Sequence, residues 1–129
     1  MSYADNAMKR DFELIRKLLV YFDEKPDAAV VELPDIGTGY SGSEIKYHLL
    51  LLYEAGFLDC ELIRSTTSDR VVKVLPFNPT WDGHEFLAKI RNDSVWQKIQ
   101  TAIASKGGTL AFAVINQLAT KFALHASGL

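Results

Sequence analysis

The stretch Tyr47-His48-Leu49-Leu50-Leu51-Leu52-Tyr53-Glu54-Ala55-Gly56-Phe57-Leu58 decides the fold. It reads as the end of an apolar helix over residues 43–55, with Ser41 or Ser43 as N-cap. Gly56 supplies the glycine that helices favour just past their last turn. The chain then passes directly into a strand, residues 57–64, in which Leu58, Cys60 and Leu62 alternate with Asp59 and Glu61. A polar turn, 65–69, leads to a second strand, 71–75, where Val72 and Val74 flank Lys73. Pro76 to Pro79 reads as a stiff connector, and Thr80 caps a third helix running to about residue 92, with Trp81, Phe86, Leu87 and Ile90 as its apolar positions. Helix, tight glycine, strand, turn, strand, helix is the order of a winged helix.

Upstream, Phe12, Ile15, Leu19 and Phe22 recur at helical spacing and predict a helix over residues 11–24, ended by Lys25-Pro26-Asp27. The β-branched run at residues 30–33 predicts a short strand. The glycine-bearing loop 34–42 then takes the place where a full helix-turn-helix has another helix. Downstream, Ser94-Val95-Trp96-Gln97 has the pattern of a capping box and predicts a fourth helix, stopped by Gly107-Gly108. A fifth is expected from Leu110 to about residue 126, with Phe112, Ile115, Ala119 and Phe122 on one face. The expected fold is α+β, mostly α: a winged-helix core (helix, short strand, helix, two-stranded wing, helix) with two additional C-terminal helices. The expected division is a winged-helix-like domain over residues 8–92 and a helical extension over 93–129, packed on the same domain. Residues 1–7, which precede Met8 as a second potential start, read as a leader or remnant.

These patterns resemble a known family. The residues that carry the likeness are the helix-to-wing stretch from Tyr47 to Leu58, Thr80-Trp81-Asp82-Gly83-His84-Glu85-Phe86-Leu87 after the wing, Met8-Lys9-Arg10-Asp11-Phe12-Glu13-Leu14-Ile15-Arg16, and Asp93-Ser94-Val95-Trp96. Together they are similar to the domain of unknown function 2513 family of bacteria and phages, over residues 8–124. The resemblance implies a winged-helix-like fold and carries no assigned activity.

Composition narrows the function classes. The chain has 129 residues, 48% hydrophobic and 23% charged, with a net charge of -2. That is the profile of one globular domain with a real core, not of a disordered or strongly basic chain. The single cysteine, Cys60, excludes an internal disulfide framework and reads as a small core hydrophobe. No apolar run reaches membrane-spanning length and no signal peptide is evident, so a cytoplasmic location is expected.

Three apparent motifs do not carry chemistry. Gly37-Thr38-Gly39-Tyr40-Ser41-Gly42 matches G-x-G-x-x-G, with Asp59 near the distance of a ribose-binding acid. The chain that follows turns into a hairpin and then helices, without the further βα units of a nucleotide fold. His84-Glu85 opens a zincin-like string, but the second histidine it requires is Ala88. Cys60 lies between two carboxylates, which raise a thiol pKa. His48 reads as a buried, hydrogen-bonded histidine, and Trp81 and Trp96 read as core anchors. No catalytic constellation, cofactor or metal site is expected, and the protein is read as non-enzymatic.

The function expected from the fold is DNA-binding-like, as in a small transcriptional regulator. The expected contacts are Lys46 and Tyr47 on the helix before the wing and Arg64, Arg70 and Lys73 on the wing. Glu44, Leu50 and Glu54 on the same helix weaken base readout, so phosphate contacts to double-stranded DNA dominate the expectation. The alternative is a protein–protein interaction module on the same scaffold. Charge is uneven: residues 1–78 hold nine Lys and Arg against thirteen Asp and Glu, and residues 79–129 five against three. On the last helix, Leu110, Val114, Leu118 and Leu124 form a second apolar set, and Leu110, Val114 and Leu118 predict a homodimer interface.

Overall fold

The computed structural model describes residues 9–108 and 110–129. The expectation for residues 1–7 lies outside them. The described chain is α+β and mostly helical, with five helices and one two-stranded antiparallel sheet: α1 (Phe12–Asp23), α2 (Gly42–Glu54), β1 (Leu58–Arg64), β2 (Val71–Pro79), α3 (Trp81–Ile90), α4 (Asp93–Ser105) and α5 (Phe112–Ala126). This order is compatible with a winged helix. Contacts divide the chain into two compact units, Met1–His84 and Glu85–Leu129.

In the first unit, Asp11 caps α1, its Oδ1 accepting from the Glu13 and Leu14 amides at 2.9 and 3.3 Å. The helical spacing of Leu14, Ile15, Leu18, Leu19 and Phe22 puts all five on one buried face. That helix packs on α2 and β2, and α2 packs on both strands. At α2, Ser41 Oγ accepts from the Glu44 amide while the Glu44 carboxylate accepts from the Ser41 amide, a reciprocal capping box. The buried residues of α2 are Ile45, His48, Leu49 and Leu52.

Two expectations about the strands are corrected. Residues 30–33 do not form a strand. Val31 N–H donates to Pro76 O at 3.3 Å, but Pro76 has no N–H to return, so a ladder cannot start there. Conversely, Pro76 to Pro79 is not a connector but the end of β2, pairing as far as Leu58 with Pro79. The prolines fit because one lies beside a bulge and the other ends the strand. The register slips at two points on β2, leaving Phe77 and Val72 as bulge residues. Each bulge carbonyl is met by a lysine ammonium: Lys25 Nζ donates to Phe77 O at 2.6 Å and Lys46 Nζ to Val72 O at 2.9 Å.

In the second unit, the buried side chains include Phe86, Leu87, Ile90, Val95, Trp96, Ile99, Ile115 and Ala119. Helix α4 packs against α5. Phe86 meets Phe112 edge-on at 5.1 Å, and Lys89 Nζ donates to Asn116 Oδ1 at 3.0 Å. The N-cap of α4 is Asn92, whose Oδ1 accepts from the Val95 amide at 3.1 Å. The capping box expected at Ser94 is therefore displaced, because Asn92 is as good a cap and stands two residues earlier.

Candidate functional site

Parts of three of the segments that carry the family likeness lie in the first unit, around Asp11, His48 to Leu58 and Thr80 to His84, and polar groups of these parts bond to one another. His48 is 2% exposed. Its Nε2 accepts from the Asp11 amide at 2.8 Å, and its Nδ1 lies 2.8 Å from Glu44 O. An amide N–H only donates and a carbonyl only accepts, so the ring is the neutral tautomer with its proton on Nδ1. With both nitrogens engaged, His48 joins the N-cap of α1 to α2 and has no lone pair left for a ligand. Its place is that of a buried, hydrogen-bonded histidine.

The second meeting point is the α2–β1 corner. Gly56 has φ +80°. Phe57 N–H donates to Leu52 O and Gly56 N–H to Tyr53 O, the double bond of a Schellman turn. The carbonyls of the same corner then receive the start of α3. Thr80 N–H donates to Phe57 O at 3.0 Å, and Thr80 Oγ1 donates to Gly56 O while accepting from the Gly83 amide. Gly83 packs so tightly that a Cβ there would lie 2.1 Å from Phe57 O. His84 Nδ1 lies 3.1 Å from Asp23 Oδ1 and ties the helix start to the end of α1.

The expected DNA contacts fall largely on one region. Arg64 pairs with Val71 at the outer end of the hairpin, Arg70 immediately precedes that pair, and Lys73 pairs with Ile63. Lys46 and Lys73 both line a cleft of about 370 Å³ with Glu32, Leu33, Gly42 and Val72. Several of these cations already serve the fold. Arg64 donates to Asp69 O at 2.7 Å across the turn, Lys73 lies 3.6 Å from Glu32, and Lys46 holds the Val72 bulge. Arg70 is exposed at the turn, its amide bonded to Ser68 Oγ. Tyr47 does not join the cluster. It is half-buried, edge-on to the His48 ring at 5.6 Å.

Cys60 is half-buried on β1, and burial first, then the Asp59 carboxylate, pushes its thiol up to about 12. A thiol held protonated is a poor nucleophile. Tyr40 is likewise raised, by burial and then by Asp11, Glu13 and Glu44. The glycine motif at 37–42 forms an irregular loop leading to the Ser41 cap, with no strand before it among the described residues. No group of three or more His, Cys, Asp and Glu among the described residues is gathered for a metal ion, and no described helix is long and apolar enough to cross a membrane.

In the second unit, Leu110 and Leu118 are half-buried, and Val114 is 42% exposed. Trp96 is a core residue at 3% exposure, as expected, but Trp81 is 77% exposed and anchors nothing. At the first position of α3 its ring falls outside the stripe that Phe86, Leu87 and Ile90 bury. Sequence reasoning also missed a trough along α5, lined by Lys98, Lys121, Phe122, Leu124, His125 and Leu129 among others. The spacing of Lys121, Leu124 and His125 was the available signal: three and four residues apart, they share one helix face.

With this geometry, the protein is a mostly helical α+β chain in which Gly56, Thr80 and Gly83 lock one corner of the first unit and Arg64, Arg70 and Lys73 lie on the outer hairpin. The chain matches the family described as hypothetical protein (DUF2513) over residues 9–109, and it belongs to that family. It is 38% identical over 112 residues to an uncharacterized protein of Haemophilus influenzae, covering 87% of this chain and 92% of the relative. No solved structure matches the chain.

Proposed function

We propose that the protein is a non-enzymatic, winged-helix-type DNA-binding protein of the cytoplasm that contacts the backbone of double-stranded DNA, in the manner of a small regulator. The observation that carries this reading is the grouping of Lys46, Arg64, Arg70 and Lys73 from α2 and the outer hairpin. Their internal bonds leave donors to spare: an ammonium has three and a guanidinium five. Glu44 and Glu32 beside them disfavour tight base readout, so affinity rests on phosphate contacts and falls steeply with salt. The test is fluorescence anisotropy on a random duplex at low salt. The parent binds, and Arg70→Glu weakens binding and flattens the salt slope by about one phosphate's share. No binding by the parent at low salt removes the reading.

A second reading, self-association through α5, is favoured by the exposure of Val114 and Leu124. Leu118, half-buried, follows Val114 by one turn, and exposed apolar side chains of this size favour association when covered. Light scattering at micromolar concentration gives a dimer mass that Leu118→Glu lowers. A monomer mass unchanged by that substitution ends it.

A further inference from the structure

We propose that the trough along α5 is a docking site for a segment of a partner protein that carries apolar side chains bordered by carboxylates, as an acidic amphipathic helix does. This is independent of DNA binding by the hairpin.

The trough lies wholly within the second unit and has a volume of about 710 Å³. Its floor is apolar. Phe122 is half-buried, Leu124 is 48% exposed, and Leu129 is 87% exposed. Its borders are basic. Lys98 and Lys121 line it with His125, and among the described residues no Asp or Glu side chain does. The Lys98 ammonium lies 5.8 Å from the Phe122 ring centroid, so one border cation sits over the floor itself. The surroundings have the same sign: residues 85–129 carry five Lys and Arg against Glu85 and Asp93. An occupant must cover leucine and phenylalanine side chains and face ammonium groups. Nucleic acid answers the second demand but not the first, since a phosphate backbone set on leucines loses its water without compensation.

Length points to a helix-sized occupant. The lining on α5 runs from Gln117 to His125. At a rise of about 1.5 Å per residue that is roughly 12 Å, two helical turns. Two turns of an amphipathic helix present apolar residues at i, i+3, i+4 and i+7, and residues beside that stripe can carry the carboxylates. Opposite charge across such a groove sets partner choice and speeds encounter more than it adds raw affinity.

The probe is a labelled synthetic helix of about three turns, with leucines along one face and glutamates bordering them. It is compared with two matched peptides, one with lysine for glutamate and one with serine for leucine. The expected result is binding of the first peptide only, weakened by added salt. Lys121→Glu and Leu124→Ser should each reduce it roughly tenfold. Both positions are exposed, so unchanged thermal melting of the variants separates lost docking from lost folding. Failure of the glutamate peptide to bind overturns the proposal, as does equal binding of all three peptides or indifference to both variants. A dimer that Lys121→Glu dissolves gives the trough to a second copy of this chain and overturns it as well.

Discussion

The inner and outer halves of the β-hairpin are built from the same two strands and behave as different materials. At the inner end, Leu58 is 1% exposed, and Pro76 and Pro79 are buried. The adjoining corner carbonyls are taken by Thr80, and Gly83 leaves no space for a methyl group. At the outer end, Ile63 is 44% exposed, Val72 is 40%, and Arg64, Arg70 and Lys73 face solvent. Each half contains one bulge, and each bulge is held by a lysine from a neighbouring segment. The inner half thus anchors the sheet, and the outer half presents it. The motif residues Gly56 to Leu58 and Thr80 to Gly83 adjoin the anchored end, so these report the fold and say little about what is presented.

Substitutions that treat the two halves alike would break this contrast. The largest effect is expected at Leu58→Ala, which empties a fully buried site and should cost about 3 kcal/mol in urea unfolding. A loss below about 1 kcal/mol would mean the inner half is not an anchor. Gly83→Ala comes next, at about 2–3 kcal/mol, because the added methyl meets backbone rather than a side chain that can swing away. Gly42→Ala is its control. The nearest atom to a Cβ there is Leu33 Cδ1 at 4.0 Å, so it should be neutral or stabilising by a few tenths of a kcal/mol.

A smaller effect is a pH dependence. The Cys60 thiol stands at about 12 in the fold against an ordinary 9.0. Below pH 9 both folded and unfolded chains keep the proton, and its contribution is fully present. As pH rises from 9 toward 12 the unfolded chain loses the proton first, and stability falls. Tyr40, also raised, acts in the same direction above its ordinary 10.0. The slope that disappears in Cys60→Ala belongs to the thiol, and identical slopes would show that Cys60 is no more buried than in the unfolded chain. The smallest effect is expected at Ile63→Ala, within about 0.5 kcal/mol. A loss as large as that at Leu58 would show that the outer half is packed rather than presented.

The helices were legible because their ends are written in short-range chemistry. Asp11, Ser41 and Thr80 cap through their own side chains, and Gly56 allows the left-handed turn. What misled was chemistry decided by a distant partner. A β-branched run at residues 30–33 promises a strand, but its neighbour is Pro76, which cannot complete the ladder. Pro76 to Pro79 reads as a break, yet the bulge at Phe77 lets the strand continue. The candidate DNA contacts were found by residue type, and four of them do gather. Periodicity alone did not reveal that Lys46 is bonded to a bulge carbonyl or that Tyr47 leans on His48. Trp81 shows the same limit, since a large ring at a helix start carries no sign of which way the helix will face.

The bond between His48 and the Asp11 amide spans 37 positions in sequence. It closes a large ring of chain that includes the glycine loop at 37–42. The entropy of closing such a ring grows only with the logarithm of its length, so doubling it costs about 0.6 kcal/mol. Both ends of the ring are fixed, and Lys25 and Val31 tie down its first half through Phe77 and Pro76. The stretch from Gly37 to Gly39 is exposed and carries two left-handed glycines. The ring is therefore elastic in length at that one point. A tag or a small domain spliced between Gly37 and Gly39 lengthens a loop without drawing on either anchor, so new sequence there comes at little thermodynamic cost.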